Sequence, residues 1–214
     1  SYRYSGTALT PSFTVSLNGV KLVQDLDYSV TYLSNKNVGT AKVVICGKGV
    51  YTNSLTKTFT IRPETMASAV ITGCKAKYSY TGKQVKPLIQ VVWNGKILRN
   101  NTDYTLLYKN NKKRGSAGIV VTGKGNYSGT LAASFTIVRA SVKKASVTGL
   151  KAVYARTGKA VKPKVTVKLG GKKLKKKRDY ILSYRKNKKK GTALLYVKGV
   201  GNYSGTKKMK FKIR

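Results

Sequence analysis

The stretch Asp103–Gly129, DYTLLYKNNKKRGSAGIVVTGKGNYSG, occurs in three copies along this chain. Asp27–Asn53 reads DYSVTYLSNKNVGTAKVVICGKGVYTN and Asp179–Gly205 reads DYILSYRKNKKKGTALLYVKGVGNYSG, each starting 76 residues after the copy before it, with no insertion or deletion. The same step relates Pro11 to Pro87 and Pro163, Gly6 to Gly82 and Gly158, and Phe59 to Phe135 and Phe211. A fixed period of this length marks tandem copies of one structural unit. The 214 residues therefore read as three repeats, 1–64, 65–140 and 141–214. Each is near the lower size limit for an independent core, so neighbours are expected to support one another. Copies two and three carry a lead-in, Ala67–Lys77 and Lys143–Val153, without a counterpart before Ser1. The first repeat is thus expected to be N-terminally truncated, as in a fragment of a longer protein. No signal peptide or membrane span shows in the stretch at hand.

Within each copy the hydrophobic period is two. In the third, Val165, Val167 and Leu169 alternate with Thr166 and Lys168, and Gly170-Gly171 marks a tight turn toward Leu174. Tyr180, Leu182 and Tyr184 share one face, as do Ala193, Leu195 and Val197, and then Met209, Phe211 and Ile213. No window shows a capped apolar pattern at helical spacing. About six or seven short strands per repeat predict an all-β fold: three tandem small Ig-like β-sandwich repeats, antiparallel in pairing, with a single-sheet meander as the alternative. The connections 61–69 and 137–145 contain no Gly/Ser-rich spacer, so the repeats are expected to form a semi-rigid rod.

The phrase GKQVKP, NGKIL, DYTLLY, GSA, GKGNYSGT and FTI, running from Gly82 to Ile137, resembles the short Ig-like repeats of Gram-positive surface proteins. These are grouped with bacterial MBG/YDG-type Ig-like domains, and the resemblance covers the whole chain three times over. It implies stalks or adhesive arrays on exported, extracellular cell-surface or cell-wall proteins, without enzymatic activity. The lysine load of the third repeat departs from a plain spacer.

That load is extreme. Lys and Arg number 44 against five Asp and Glu, a net charge of +39. Over residues 1–66, 67–142 and 143–214 the basic residues number 7, 12 and 25 and the acidic ones 3, 1 and 1, giving net +4, +11 and +24. A gradient along copies of one fold shows charge varied independently of the scaffold, and it implies a polyanionic partner.

Most other chemistry lacks its parts. The chain has no His, so neither a Ser-His-Asp triad nor a Cys-His pair can be assembled, and zinc coordination has only Cys46 and Cys74 to draw on. No cofactor is expected. Those two cysteines sit at non-equivalent repeat positions, either as free thiols or as one bridge between repeats one and two. Asp27-Tyr28, Asp103-Tyr104 and Asp179-Tyr180 contain three of the five acids. They read as turn carboxylates accepting backbone N–H groups ahead of a strand whose tyrosine is in the core. A Lys–Asn isopeptide arrangement, with Asp103 or Asp179 as the acid and Asn126 or Asn202 as the amide, is the chemical alternative. Tyrosines recurring at fixed repeat positions belong to the common core. Tyr196 replaces Val44 and Val120 on the alternate face and is the one expected at the surface.

The functional signal is in the basic clusters. Lys172, Lys173, Lys175, Lys176, Lys177 and Arg178 replace Lys96, Ile97, Arg99, Asn100, Asn101 and Thr102 of repeat two. Arg185, Lys186, Lys188, Lys189 and Lys190 form the next loop, matched in repeat two by the milder Lys112, Lys113 and Arg114. Lys208, Lys210 and Lys212 stand where repeat two has Ala132, Ser134 and Thr136 and repeat one has Thr56, Thr58 and Thr60. On a strand such a row projects from one face at about 6.6–6.8 Å spacing. Net +24 on one small repeat exceeds the magnitude of about 2–8 that solubility calls for.

The sequence therefore points to a non-catalytic array whose basic end binds an anionic cell-wall polymer, teichoic acid or an acidic glycan. With Arg214 directly after the last strand, the basic repeat is expected to lie C-terminally, as a non-covalent wall anchor. The second expectation is a host-directed adhesin, binding a host glycan or a host surface protein such as an antibody through exposed apolar residues like Trp93 or Ile97. Nucleic acid is the third and least favoured partner: it shares the electrostatics, but the resemblance implies an exported protein, and the scarcity of arginine in the clusters argues against sequence-specific reading of bases.

Overall fold

In the computed structural model, which describes residues 1–214, the chain is almost wholly β. Its helical content is two single 3₁₀ turns, Met66–Ser68 and Val142–Lys144. No helix is long and apolar enough to cross a membrane.

The third repeat shows how the module is built. Gly191–Gly199 pairs antiparallel with Tyr180–Arg185 on one side and Thr206–Ile213 on the other. A second sheet joins Ser146–Thr148, Thr166–Leu169 and Lys172–Lys173, with Gly170-Gly171 turning the last two into a hairpin. Alternation decides what each face does. Ala193, Leu195, Val197, Phe211 and Ile213 of one sheet meet Val167 of the other, and Val142, Ala145, Leu174, Tyr180 and Tyr203 complete one buried core. Two sheets sharing one core make a sandwich, of the small Ig-like kind.

The pairing is not antiparallel throughout, as the sequence reading expects. Val153–Tyr154 closes the four-stranded sheet by running parallel to Lys212–Ile213. Lys77–Ser79 and Tyr2–Arg3 do the same against Thr136–Val138 and Ile61–Arg62. A crossover of dozens of residues separates the paired segments, and only a connection of that length permits parallel pairing.

Repeat two has the same strand set, including Tyr104–Lys109, Gly115–Gly123, Thr130–Val138, Gln90–Trp93 and Lys96–Leu98. Repeat one has Tyr28–Leu33, Gly39–Gly47 and Ser54–Arg62, but its second sheet is only Ser16–Leu17 with Val20–Lys21. Two polar clamps recur in all three copies. Tyr32, Tyr108 and Tyr184 hydroxyls donate to the Pro11, Pro87 and Pro163 carbonyls at 2.6–2.7 Å. Asn35, Asn111 and Asn187 side-chain amides donate to the Leu9, Val85 and Val161 carbonyls at 2.8–2.9 Å.

By packing, the chain forms two compact units, and residues of repeat two belong to both. The first is Ser1–Gly73 with Ile89–Leu107 and Ile119–Ala133; the second is Cys74–Leu88 with Tyr108–Gly118 and Ser134–Arg214. Inside the first unit, Tyr4 meets Tyr127 edge-on at 5.5 Å, and Glu64–Thr65 pairs parallel with Tyr127–Ser128. Inside the second, Tyr80 meets Tyr203 at 5.6 Å, and Ala140–Ser141 pairs parallel with Tyr203–Ser204.

Candidate polyanion-binding site

The repeated aspartates are turn acceptors. Their Oδ2 atoms take the backbone N–H of the residue four positions earlier: Val23 to Asp27 at 2.7 Å, Arg99 to Asp103 at 2.8 Å, Lys175 to Asp179 at 2.9 Å. Asp179 is also gripped in a fork by its neighbour Arg178, with Nε on Oδ1 at 3.0 Å and Nη2 on Oδ2 at 2.9 Å. That fork, helped by the Lys175 N–H, holds the Asp179 carboxyl below its ordinary pKa against the opposing effect of burial. The Asn126 amide is engaged as well: its Oδ1 accepts the Val38 N–H at 2.9 Å and its Nδ2 donates to Asn37 Oδ1 at 3.0 Å. Cys46 and Cys74 are free thiols.

The lysine row is where alternation places it. Phe211 and Ile213 are buried and Met209 is half-buried, so Lys208, Lys210 and Lys212 project from the opposite, exposed face of the four-stranded sheet. The register sets Tyr196 beside Lys208, Leu194 beside Lys210 and Thr192 beside Lys212. On the far side of that central strand, Arg185 is opposite Leu194 and Ser183 opposite Tyr196. The Arg185 guanidinium reaches over the Tyr196 ring, 5.6 Å from its centroid. Lys198, which sequence reasoning missed, stands exposed at the end of the central strand. Its shared parity with Tyr196 was the available signal. The third repeat thus presents one face with a row of ammonium groups, a half-exposed aromatic ring and a capping guanidinium.

The other clusters divide. Lys173 occupies the edge strand of the second sheet, directly across from Lys168. The equivalent pairs in the sister repeats, Val92 with Ile97 and Ser16 with Lys21, contain no like charges, and like charges placed opposite each other destabilise a sheet. Lys172 lies over the Tyr80 ring, 5.9 Å from its centroid, and Arg178 is held by Asp179. These two are therefore engaged within the protein, while Lys175, Lys176 and Lys177 are exposed around the turn. Lys186, Lys188, Lys189 and Lys190 lie in and beside the loop that follows Arg185, none of them fully buried. Lys112, Lys113 and Arg114 line a cleft of about 590 Å³ with Asn110, Asn111 and Ser116.

Two of these lysines sit in the left-handed region of backbone space, Lys177 at φ 71° and Lys186 at φ 56°. The equivalent positions in the sister repeats have Asn101 and Asp25, and Asn110 and Ser34, again with positive φ. Asn and Asp tolerate this conformation because their short polar side chains bond locally, whereas lysine gains nothing there. Repeat three has placed charge against local backbone preference.

Trp93 is not the exposed anchor that the sequence reading offers. It is only 9% exposed and packs edge-on against Tyr127 at 5.4 Å. Its parity with the fully buried Val91 explains why. Ile97 is exposed, as expected.

No protein-family model matches the chain, and a search of curated proteins finds no match. Among solved structures, the protocadherin gammaB7 EC3-6 cis-dimer structure is similar at 11% identity and a TM-score of 0.22, covering 99% of this chain and 71% of that one. At those values the likeness bears on neither partner nor activity.

Proposed function

We propose that this chain is a non-catalytic, extracellular repeat array whose strongly basic third repeat binds an anionic cell-wall polymer. The observation that carries the reading is the outer sheet face of that repeat. Lys208, Lys210 and Lys212 stand there in one exposed row at positions where the other copies have Thr, Ala or Ser. The sister repeats build the same strand without them, so the fold does not require the lysines.

The chemistry suits a repeating polyanion. Ammonium groups at about 6.6–6.8 Å along a strand are spaced for successive phosphates or carboxylates of an extended chain. Lysine supplies compact point charges for diffuse backbone contact. Arg185 stacked over Tyr196 adds a partly apolar surface beside the row, on which a sugar or alditol backbone can rest. The resemblance to Gram-positive surface repeats makes wall teichoic acid the polymer to test, with acidic glycans sharing the same chemistry.

The experiment is binding of the full chain to purified cell walls before and after removal of teichoic acid. Binding is expected to fall on removal, to collapse at high salt, and to weaken in the K208T/K210T/K212T variant. Salt-resistant binding that ignores both changes would refute the polymer reading. It would favour instead a protein ligand held through apolar surface such as the exposed Ile97.

A further inference from the structure

We propose that the cleft where the first and second repeats meet binds a small zwitterion, a primary ammonium joined by a short linker to a phosphate. The site is inside the first compact unit and is independent of the lysine row.

The cleft measures about 520 Å³ and is walled by Tyr4, Gly6, Lys36, Lys96, Arg99 and Asp103 among others. One wall holds a carboxylate that is only partly satisfied. Asp103 is 7% exposed. Its Oδ2 accepts the Arg99 N–H at 2.8 Å and is 3.8 Å from Arg99 Nε, while its Oδ1 has no hydrogen bond within the protein. A second polar group nearby is also unsatisfied. The Tyr127 hydroxyl is buried without a hydrogen-bond partner of proper geometry. Burial, then the neighbouring Tyr4 and Asp103 side chains, push its pKa up to about 12. Buried polar groups without partners are costly, so such a wall favours a ligand that supplies them.

The joint between the second and third repeats shows which groups this kind of cleft takes. Tyr80, Gly82 and Asp179 align there with Tyr4, Gly6 and Asp103. The Lys172 ammonium lies over the Tyr80 ring, 5.9 Å from its centroid, and crowds Gly82 so closely that a Cβ would collide with it. Arg178 Nε donates to Asp179 Oδ1 at 3.0 Å. Both guests are cationic nitrogens with N–H donors, one on a tyrosine face and one on the carboxylate. The first joint lacks them. Thr102 stands in place of Arg178, Lys96 does not lie over Tyr4, and a Cβ on Gly6 would meet nothing within 4 Å. The joints differ in these side chains, all of them present in the chain at both places.

A free ammonium fits the position at Tyr4 and Asp103 that the second joint fills from within. A bare cation, however, would be repelled by Lys36, Lys96 and Arg99 at the rim. A bare anion would meet the Asp103 carboxylate. A ligand carrying both signs satisfies both walls, and three rim cations suit a dianionic phosphate better than a carboxylate. Asp103 Oδ1 needs an N–H to accept, which favours a primary over a quaternary ammonium.

The probe is O-phosphoethanolamine, titrated into the isotope-labelled full chain and followed by NMR. Saturable shifts are expected at the amides of Gly6 and Gly125, both on the cleft wall. Inorganic phosphate lacks the ammonium, ethanolamine lacks the phosphate, and phosphocholine lacks the N–H donors. Each should bind there at least about tenfold more weakly. Thr102→Arg supplies the side chain of the other joint and should cut affinity by a similar factor. So should Lys36→Thr combined with Lys96→Thr, at exposed positions, which carries the test if the arginine variant fails to fold. Three results would overturn the proposal. One is the absence of saturable shifts at these glycines. Another is any of the three comparison probes binding as tightly as phosphoethanolamine. The third is full affinity in a folded variant.

Discussion

At the scale of single residues, the third repeat shows charge placed where structure resists it. Lys177 and Lys186 hold positive φ at positions where the other copies use Asn, Asp or Ser. Replacing Lys177 by Asn should raise stability by roughly 0.5–1 kcal/mol, through easier access to the left-handed region, while weakening polyanion binding. Denaturant unfolding and a binding titration on the same variant check both signs, and a variant that loses stability contradicts the account. The Asp179 carboxyl makes a pH prediction. The fork from Arg178 lowers its folded-state pKa, so its contribution is complete above the unfolded value of about 4. It is lost as pH falls through the depressed folded value. Acid titration of stability should show this loss, and Asp179→Asn should flatten it while costing about 1–3 kcal/mol near neutral pH. The turn role of the aspartates was legible in the sequence, because one acid recurs ahead of a tyrosine in every copy. The Arg178 fork and the Lys172–Tyr80 contact were not: the first depends on side-chain rotamers and the second joins residues 92 apart in the chain.

At the scale of strands and sheets, alternation carried most of the information. It separates Met209, Phe211 and Ile213 from Lys208, Lys210 and Lys212 without ambiguity, and the structure divides them the same way. Trp93 shows where attention to residue type misleads. A lone tryptophan among leucines at the equivalent positions reads as an exposed anchor, yet its parity with Val91 puts it inward. The parallel pairing of Val153–Tyr154 with the last strand left no sequence signal, since two residues carry no period. The element-scale prediction concerns the lysine row. K208T/K210T/K212T restores the residues repeat one carries and should leave stability within about 0.5 kcal/mol per site, or raise it by relieving repulsion. Thermal unfolding checks this, and a large loss would show that the row is structural. Gly199 offers a contrast on the neighbouring strand. A Cβ there would come within 2.7 Å of the Ser204 backbone nitrogen. Gly199→Ala is therefore expected to cost about 1–3 kcal/mol.

For the molecule as a whole, one scaffold is repeated and its charge is not. Net charge rises from +4 to +11 to +24 along the chain while the strand set persists. Self-repulsion from +24 on about 70 residues opposes compactness; under the proposed function, a bound polyanion would offset it, with release of condensed counterions driving the association. The most direct test is the salt dependence of binding to a purified polyphosphodiester such as teichoic acid, for the full chain beside K208T/K210T/K212T. The plot of log Kobs against log salt should be steep for the natural sequence. It should be shallower by about 2 in the variant, as expected for three lost phosphate contacts at roughly 0.7 each. Equal slopes for the two proteins, or binding indifferent to salt, would contradict the account.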